Sequence, residues 1–255
     1  MKVRIDGIEV EAQEGQTVLE VARAAGAFIP ALCYHPAVAP YGSCRLCVVE
    51  ATLRGRTRVV ASCCYPVSDG LEVATDTERI RKIRRAMMEL LLARAPESES
   101  LRAAAASLGV TESRFPTLVH SEDNCILCGL CVNVCRDVIG AAAISFVNRG
   151  TDRAVAAPFL QPSEACVGCG ACAAVCPVGA IRIEWRDGQV EVAPFDNRVP
   201  LARCEECGEP MMGAPWRERL EQQLGEHLAP AARLCEACKR RHAAQAAMKA
   251  ARAAT

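Results

Sequence analysis

The chain has 255 residues, with 30 Lys and Arg against 30 Asp and Glu. That length suits two or three small domains, and the balanced charge supplies no global field to recruit nucleic acid. The charged, alternating start MKVRIDGIEVEA lacks the apolar core of a signal peptide, and no run of about 18 apolar residues occurs, so no membrane span is expected and the cytoplasm is the expected compartment.

From the N-terminus, VRI and IEVEA read as two strands joined at Asp6-Gly7, a hairpin signal. Thr17 caps a short helix, VLEVARAAG, closed by Gly26. Loops and β-rich runs (CVVEATL, RVVASC) then carry Cys33, Cys44, Cys47 and Cys63. Strand pair, helix, cysteine loop and further strands describe a β-grasp domain over 1–75. Residues 76–119 form a helical connector. Its first part, DTERIRKIRRAMMELLLAR, predicts an amphipathic helix with Ile80, Ile83, Met87 and Leu91 or Leu90 on the packing face.

Residues 120–195 hold an internal repeat of two four-cysteine runs and end in a predicted hairpin, in which Ile181, Ile183 and Trp185 alternate before Asp187-Gly188 and Val190 and Val192 after it. Residues 196–242 carry two CxxC pairs around a helix whose expected buried face is Trp216, Leu220, Leu224 and Leu228. A basic, alanine-rich tail, 243–255, is expected to fray. The fold class is α+β.

Cysteine is the outlier of the composition, with 17 residues. The number is odd, and every cysteine except Cys33 lies within four residues of another. Close pairs put thiolates on one tight loop, which suits a metal better than a cross-link between distant segments, so no disulfide framework is expected.

The most specific signal is the twin run. CILCGLCVNVC (125–135) and CVGCGACAAVC (166–176) share one spacing, with Arg136 standing where the second run has Pro177. Three thiolates on a short arc reach three irons of a cubane, and in two-cluster ferredoxins the fourth cysteine of each run serves the other cluster. That rule assigns one [4Fe–4S] cluster to Cys125, Cys128, Cys131 and Cys176, and the other to Cys166, Cys169, Cys172 and Cys135. Two zinc sites would need no shared fourth ligand. Gly129, Gly168 and Gly170 suit loops whose N–H groups face inorganic sulfide.

The N-terminal order of lone thiol, close pair and remote thiol matches a [2Fe–2S] site, with Cys33, Cys44 and Cys47. Cys63 and Cys64 compete for the fourth place, and in an extended segment one of them must point away. The last four, Cys204, Cys207, Cys235 and Cys238, form two knuckles able to close a tetrahedral site. Zinc is the expected ion. The long gap between the pairs keeps a further iron–sulfur cluster, or free thiols, as alternatives.

The stretches LCYHPAVAPYGSCRLCVVE, ASCCYPVSDGLEVATDTERIRKIRR and NCILCGLCVNVCRDVIGAAAISFVNRG resemble one family over roughly 1–190. It comprises the N-terminal part of the large iron–sulfur subunit of respiratory NADH dehydrogenase, the diaphorase small subunit of NAD-reducing hydrogenases, and subunits of NAD-linked formate dehydrogenases. In that family the last [2Fe–2S] ligand stands three residues before a proline, so Pro66 selects Cys63. The family's following Asp/Glu-Gly-Met turn has Leu71 in place of methionine. The first run of the family's dicluster segment often lacks the proline.

Relatives usually carry a further [4Fe–4S] site of one histidine and three cysteines. Residues 65–124 contain no cysteine, so that site is absent, and His120 is expected to be a surface or packing residue. His35 matches a common family position but is not needed as a ligand. The resemblance implies an electron relay between a flavin- and NAD(P)-binding subunit and a catalytic subunit of hydrogenase or formate dehydrogenase type, with a ferredoxin as additional partner if the complex bifurcates electrons. A hetero-oligomer is therefore expected. No G-x-G-x-x-G follows a strand, so the chain shows no dinucleotide-binding fingerprint for NAD or flavin. The alternatives are a free ferredoxin-like carrier and a redox-sensing regulator.

Overall fold

The computed structural model describes residues 1–117 and 124–253, and the expectation for His120 lies outside the described residues. Strands β1 (Lys2–Ile5) and β2 (Ile8–Glu11) form the expected hairpin. Asp6 and Gly7 turn it with φ of 49° and 85°, the pair of positive values a two-residue type I′ turn requires. Helix α1 (Val18–Ala24) opens on a capping box between Thr17 and Glu20 and buries Val18, Leu19, Val21 and Ala22. Strands β3 (Val48–Leu53), β4 (Arg56–Ala61) and β5 (Glu72–Ala74) complete a sheet of order β2-β1-β5-β3-β4, in which β1 and β5 run parallel.

Helix α2 (Glu78–Arg94) is capped by Thr77, whose hydroxyl accepts from the Ile80 N–H. Its buried face differs from the expected one. Ile80, Arg84, Met88 and Leu92 point inward, Ile83, Met87 and Leu91 are half-buried, and Leu90 is exposed. The i, i+4 row runs through an arginine, which a purely apolar pattern passes over. Helix α3 (Glu99–Ser107) is the alanine-rich part of the connector. It packs on α2 through Leu101 and Ala105.

Short helices α4 (Leu130–Asn133) and α5 (Ala171–Ala174) follow the two CxxC loops. Between them β6 (Ser145–Val147) pairs with β7 (Ala154–Ala156). The hairpin of β8 (Arg182–Arg186) and β9 (Gln189–Ala193) turns at Asp187-Gly188 as expected, though Trp185 is exposed. The sheet does not stop near residue 195. Strands β10 (Asn197–Arg203) and β11 (Pro210–Gly213) extend it in the order β11-β10-β9-β8, so the 197–213 segment is continuous with the dicluster region. Pro200 disguised this strand. It sits one residue beyond the end of the β11 pairing, where its missing N–H costs no ladder bond.

Helix α6 (Ala214–Leu228) half-buries Trp216 and Leu220 but leaves Leu224 and Leu228 exposed. The face breaks because Gly225 adopts φ 68°, ψ 173° and interrupts the helix. Helix α7 (Glu236–Ala253) ends the described chain. Among the described residues no helix is long and apolar enough to cross a membrane.

Candidate metal centres

The loop between α1 and β3 and the turn after β4 bring Cys33, Cys44, Cys47 and Cys63 together, each 4% exposed or less. The Cys44 N–H donates to the Cys33 sulfur at 3.3 Å. Hydrogen bonds from the Cys44 and then the Cys63 thiols hold Cys33 far down, at about 2, and the two donors are pushed up. Cys47 falls to about 6 through Cys63. Cys33 meets Cys44 and Cys63, and Cys63 meets Cys47, so the four buried thiols form one linked group.

The loop is braced from two sides. The Ser62 hydroxyl donates to the Cys47 carbonyl at 2.6 Å, and the Arg84 guanidinium to the carbonyls of Leu46 (3.0 Å) and Val48 (2.8 Å). Burial lowers the Arg84 pKa against the opposing charges of Asp76, Cys47 and Asp6. His35 Nδ1 accepts from the Ala37 N–H, closing a local turn.

Cys64 departs from the geometric expectation. Residues 62–64 form a turn, with the Cys64 N–H bonded to the Ala61 carbonyl, rather than an extended segment. The Cys63 and Cys64 sulfurs therefore lie 3.6 Å apart instead of on opposite faces, with Cys64 exposed.

The twin runs interlock. One cavity is lined by Cys125, Cys128, Cys131 and Cys176, and a second by Cys135, Cys166, Cys169 and Cys172. Each loop enters its helix through a left-handed glycine, Gly129 (φ 82°) before α4 and Gly170 (φ 77°) before α5. A β-carbon on Gly129 would stand 3.1 Å from the Tyr41 ring, and one on Gly168 only 2.3 Å from Val199.

After α4 the backbone widens into a π-turn, Val134–Val138, which carries Cys135. Such bulges occur where a side chain must be re-aimed. Arg136 forks outward onto Asp137 and Asn133, so the residue in the proline position faces away from the cavity. The Ala143 N–H donates to the Cys135 sulfur at 3.4 Å, and the Leu127 N–H to that of Cys125 at 3.4 Å. Burial pushes Cys128 and Cys172 up to about 12 and Cys131 higher still, so coordination there must displace protons. Arg94 lines the first cavity, and its guanidinium donates to the carbonyls of Cys125 (3.0 Å) and Arg153 (2.9 Å).

In the C-terminal group the sulfurs of Cys204, Cys207, Cys235 and Cys238 lie within 4.8 Å of one another. Cys204 and Cys238 are 3.7 Å apart, and Cys207 and Cys235 3.6 Å. The Cys235 N–H and Arg241 donate to the Cys204 and Cys238 sulfurs at 3.3 and 3.1 Å. This unit is docked beside the second cavity by the Gly213 N–H to the Gly168 carbonyl of the second run (3.0 Å) and by Arg219 to the Ile139 carbonyl just after the first (2.8 Å).

Comparison with known proteins finds iron–sulfur domains in the regions that hold the first three cysteine groups. A 2Fe-2S iron-sulfur cluster binding domain matches residues 1–78, and 4Fe-4S dicluster domains match 119–183 and 165–212. An NADH-quinone oxidoreductase subunit from Rhizobium meliloti is 33% identical over 82% of this chain and 27% of its own length. The NADP-reducing hydrogenase subunit HndD of Solidesulfovibrio fructosivorans is 34% identical over 71% of this chain and 36% of its own length. The chain thus spans about a quarter to a third of these curated relatives. Among solved structures, a chain from the crystal structure of NAD+-reducing [NiFe]-hydrogenase in the H2-reduced state superposes with a TM-score of 0.56 at 30% identity. That match covers 81% of this chain and 88% of the other.

Proposed function

Since the chain belongs to the family of iron–sulfur electron-transfer subunits of NAD(P)-linked oxidoreductase complexes, we propose that it relays electrons between a flavin- and NAD(P)-binding subunit and a catalytic subunit of hydrogenase or formate dehydrogenase type. In an electron-bifurcating complex a ferredoxin would be a further partner. The bound clusters would supply one-electron redox chemistry. The chain's own residues hold them, shield them from water and fix their separation.

Cys33, Cys44, Cys47 and Cys63 are assigned to a [2Fe–2S] cluster on a β-grasp frame, residues 1–75. The connector, 76–119, leads to the dicluster domain, whose sheet continues through β11. Cys125, Cys128, Cys131 and Cys176 are assigned to one [4Fe–4S] cluster, and Cys166, Cys169, Cys172 and Cys135 to the other. The observation that carries the reading is the lining of the two cavities, each by three thiols of one run and the fourth of its twin. That interlock suits paired cubanes and has no use in two separate single-ion sites.

The C-terminal thiols are assigned to a zinc ion. Four sulfurs about 2.3 Å from one tetrahedral ion stand about 3.8 Å apart, which the 3.7 and 3.6 Å separations support. A cubane binds each thiolate to a different iron and needs its sulfurs spread wider. The zinc-knuckle-like unit, 196–242, which shares β10 and β11 with the dicluster sheet, and the basic tail, 243–255, would then be a docking piece beside the second cluster's loop.

Isolation of the protein from its native cells tests the relay. A flavoprotein and a catalytic subunit should accompany it in fixed ratio, and NAD(P)H should reduce its clusters only when the flavoprotein is present. A lone monomer reduced directly by NAD(P)H would contradict it.

A further inference from the structure

Two arginines of α2 stand out from every other cation in the described structure. Arg84 is 5% exposed and Arg94 8%, and no other Lys or Arg among the described residues is buried. They lie ten residues apart on one helix, a rise of about 15 Å. Each aims its guanidinium at the backbone of a different cysteine loop. Arg84 donates to the carbonyls of Leu46 and Val48, the two residues that flank Cys47. Arg94 donates to the carbonyl of Cys125 itself and ties that loop to Arg153, and it is among the residues lining the cavity of Cys125, Cys128, Cys131 and Cys176.

Burying a guanidinium is costly, and an apolar residue would continue the Ile80–Met88–Leu92 row at position 84 without that cost. A carbonyl clamp alone could be made by neutral donors. What arginine adds is a charge that stays fixed, because its side chain is not deprotonated in proteins. One-electron reduction adds a negative charge to a bound cluster and requires no proton, so a nearby desolvated cation favours the reduced form.

On the cluster assignment proposed above, we propose that Arg84 and Arg94 are positioning residues through which α2 sets the redox poise of the [2Fe–2S] cluster and of the first [4Fe–4S] cluster, each guanidinium favouring the reduced state of its own neighbour. One helix then holds both the separation and the relative potential of two successive carriers. The two effects are independent, because each guanidinium faces one loop.

The test is a redox titration followed by electron paramagnetic resonance on the full chain, wild type against Arg84→Gln, Arg94→Gln, Arg84→Lys and Arg94→Lys. The wild-type signals come first: if no [2Fe–2S] and [4Fe–4S] signals develop on reduction, the cluster assignment itself fails. With signals present, Arg94→Gln should make one [4Fe–4S] cluster at least tenfold harder to reduce, about 59 mV for a one-electron couple, and leave the [2Fe–2S] midpoint in place. Arg84→Gln should do the converse. Lysine keeps the charge but cannot span both carbonyls, so the Lys variants should stay close to wild type. Should a Gln variant fail to assemble its cluster, the Lys variant decides alone: a wild-type midpoint supports the charge role, and a midpoint displaced tenfold overturns it. Unchanged midpoints in the Gln variants, or equal shifts at both clusters, would also overturn it.

Discussion

Cys135 and Cys176 are the thiols whose loss separates an interlocked pair of sites from two independent ones. Cys176→Ser should damage the same [4Fe–4S] signal as Cys128→Ser, and Cys135→Ser the same signal as Cys169→Ser, as read by electron paramagnetic resonance of the reduced protein. Pairing within each run would give the opposite result. At the N-terminal site, Cys63→Ser should abolish the [2Fe–2S] absorption, whereas Cys64→Ser should leave it at full intensity. Because the two sulfurs are only 3.6 Å apart, this is a real contest. The grouping of the thiols was legible residue by residue, since their spacing follows from the reach of a short arc, and the structure gathers the same cysteines around two cavities and one four-sulfur cluster. The turn at 62–64 was not, because Ser-Cys-Cys carries no turn signal of its own. Nor were Arg84 and Arg94, since a charged residue on a helix is normally taken as solvated.

The element that joins the C-terminal unit to the second run is a backbone contact that only glycines allow. A β-carbon on Gly168 would meet Val199 at 2.3 Å, and one on Gly213 would meet the Val167 carbonyl oxygen at the same distance. Gly168 also has φ of 63°, where an L side chain is strained. Gly168→Ala should therefore cost about 2–3 kcal/mol, seen as a lower unfolding temperature. Gly179→Ala, at similar φ with nothing within 4 Å, should cost less. Hairpins and capped helices were readable here because their signals are local: Asp6-Gly7, Asp187-Gly188 and Thr17 act within four residues. The inward face of α2 and the full extent of the last sheet were not, because Arg84 and Pro200 contradict the local rule and are satisfied only by tertiary partners.

Across the whole molecule, one buried cluster runs from Cys33 and Cys44 through Met88 and Leu92 of α2 to Ile126, Cys128 and Val178. The N-terminal site and the first run thus share a packed core, and the Ser43 hydroxyl reaches across it to the Leu127 carbonyl at 3.0 Å. The four-thiol C-terminal unit lies beyond the second run, so on the zinc assignment proposed above a chelator should expose 204–253 to protease while iron content is unchanged. The relay reading is tested most directly by a reductive titration of anaerobically purified chain with its metals counted. Three electrons per chain, about ten irons and one zinc are expected. A single electron with four irons or fewer would contradict it.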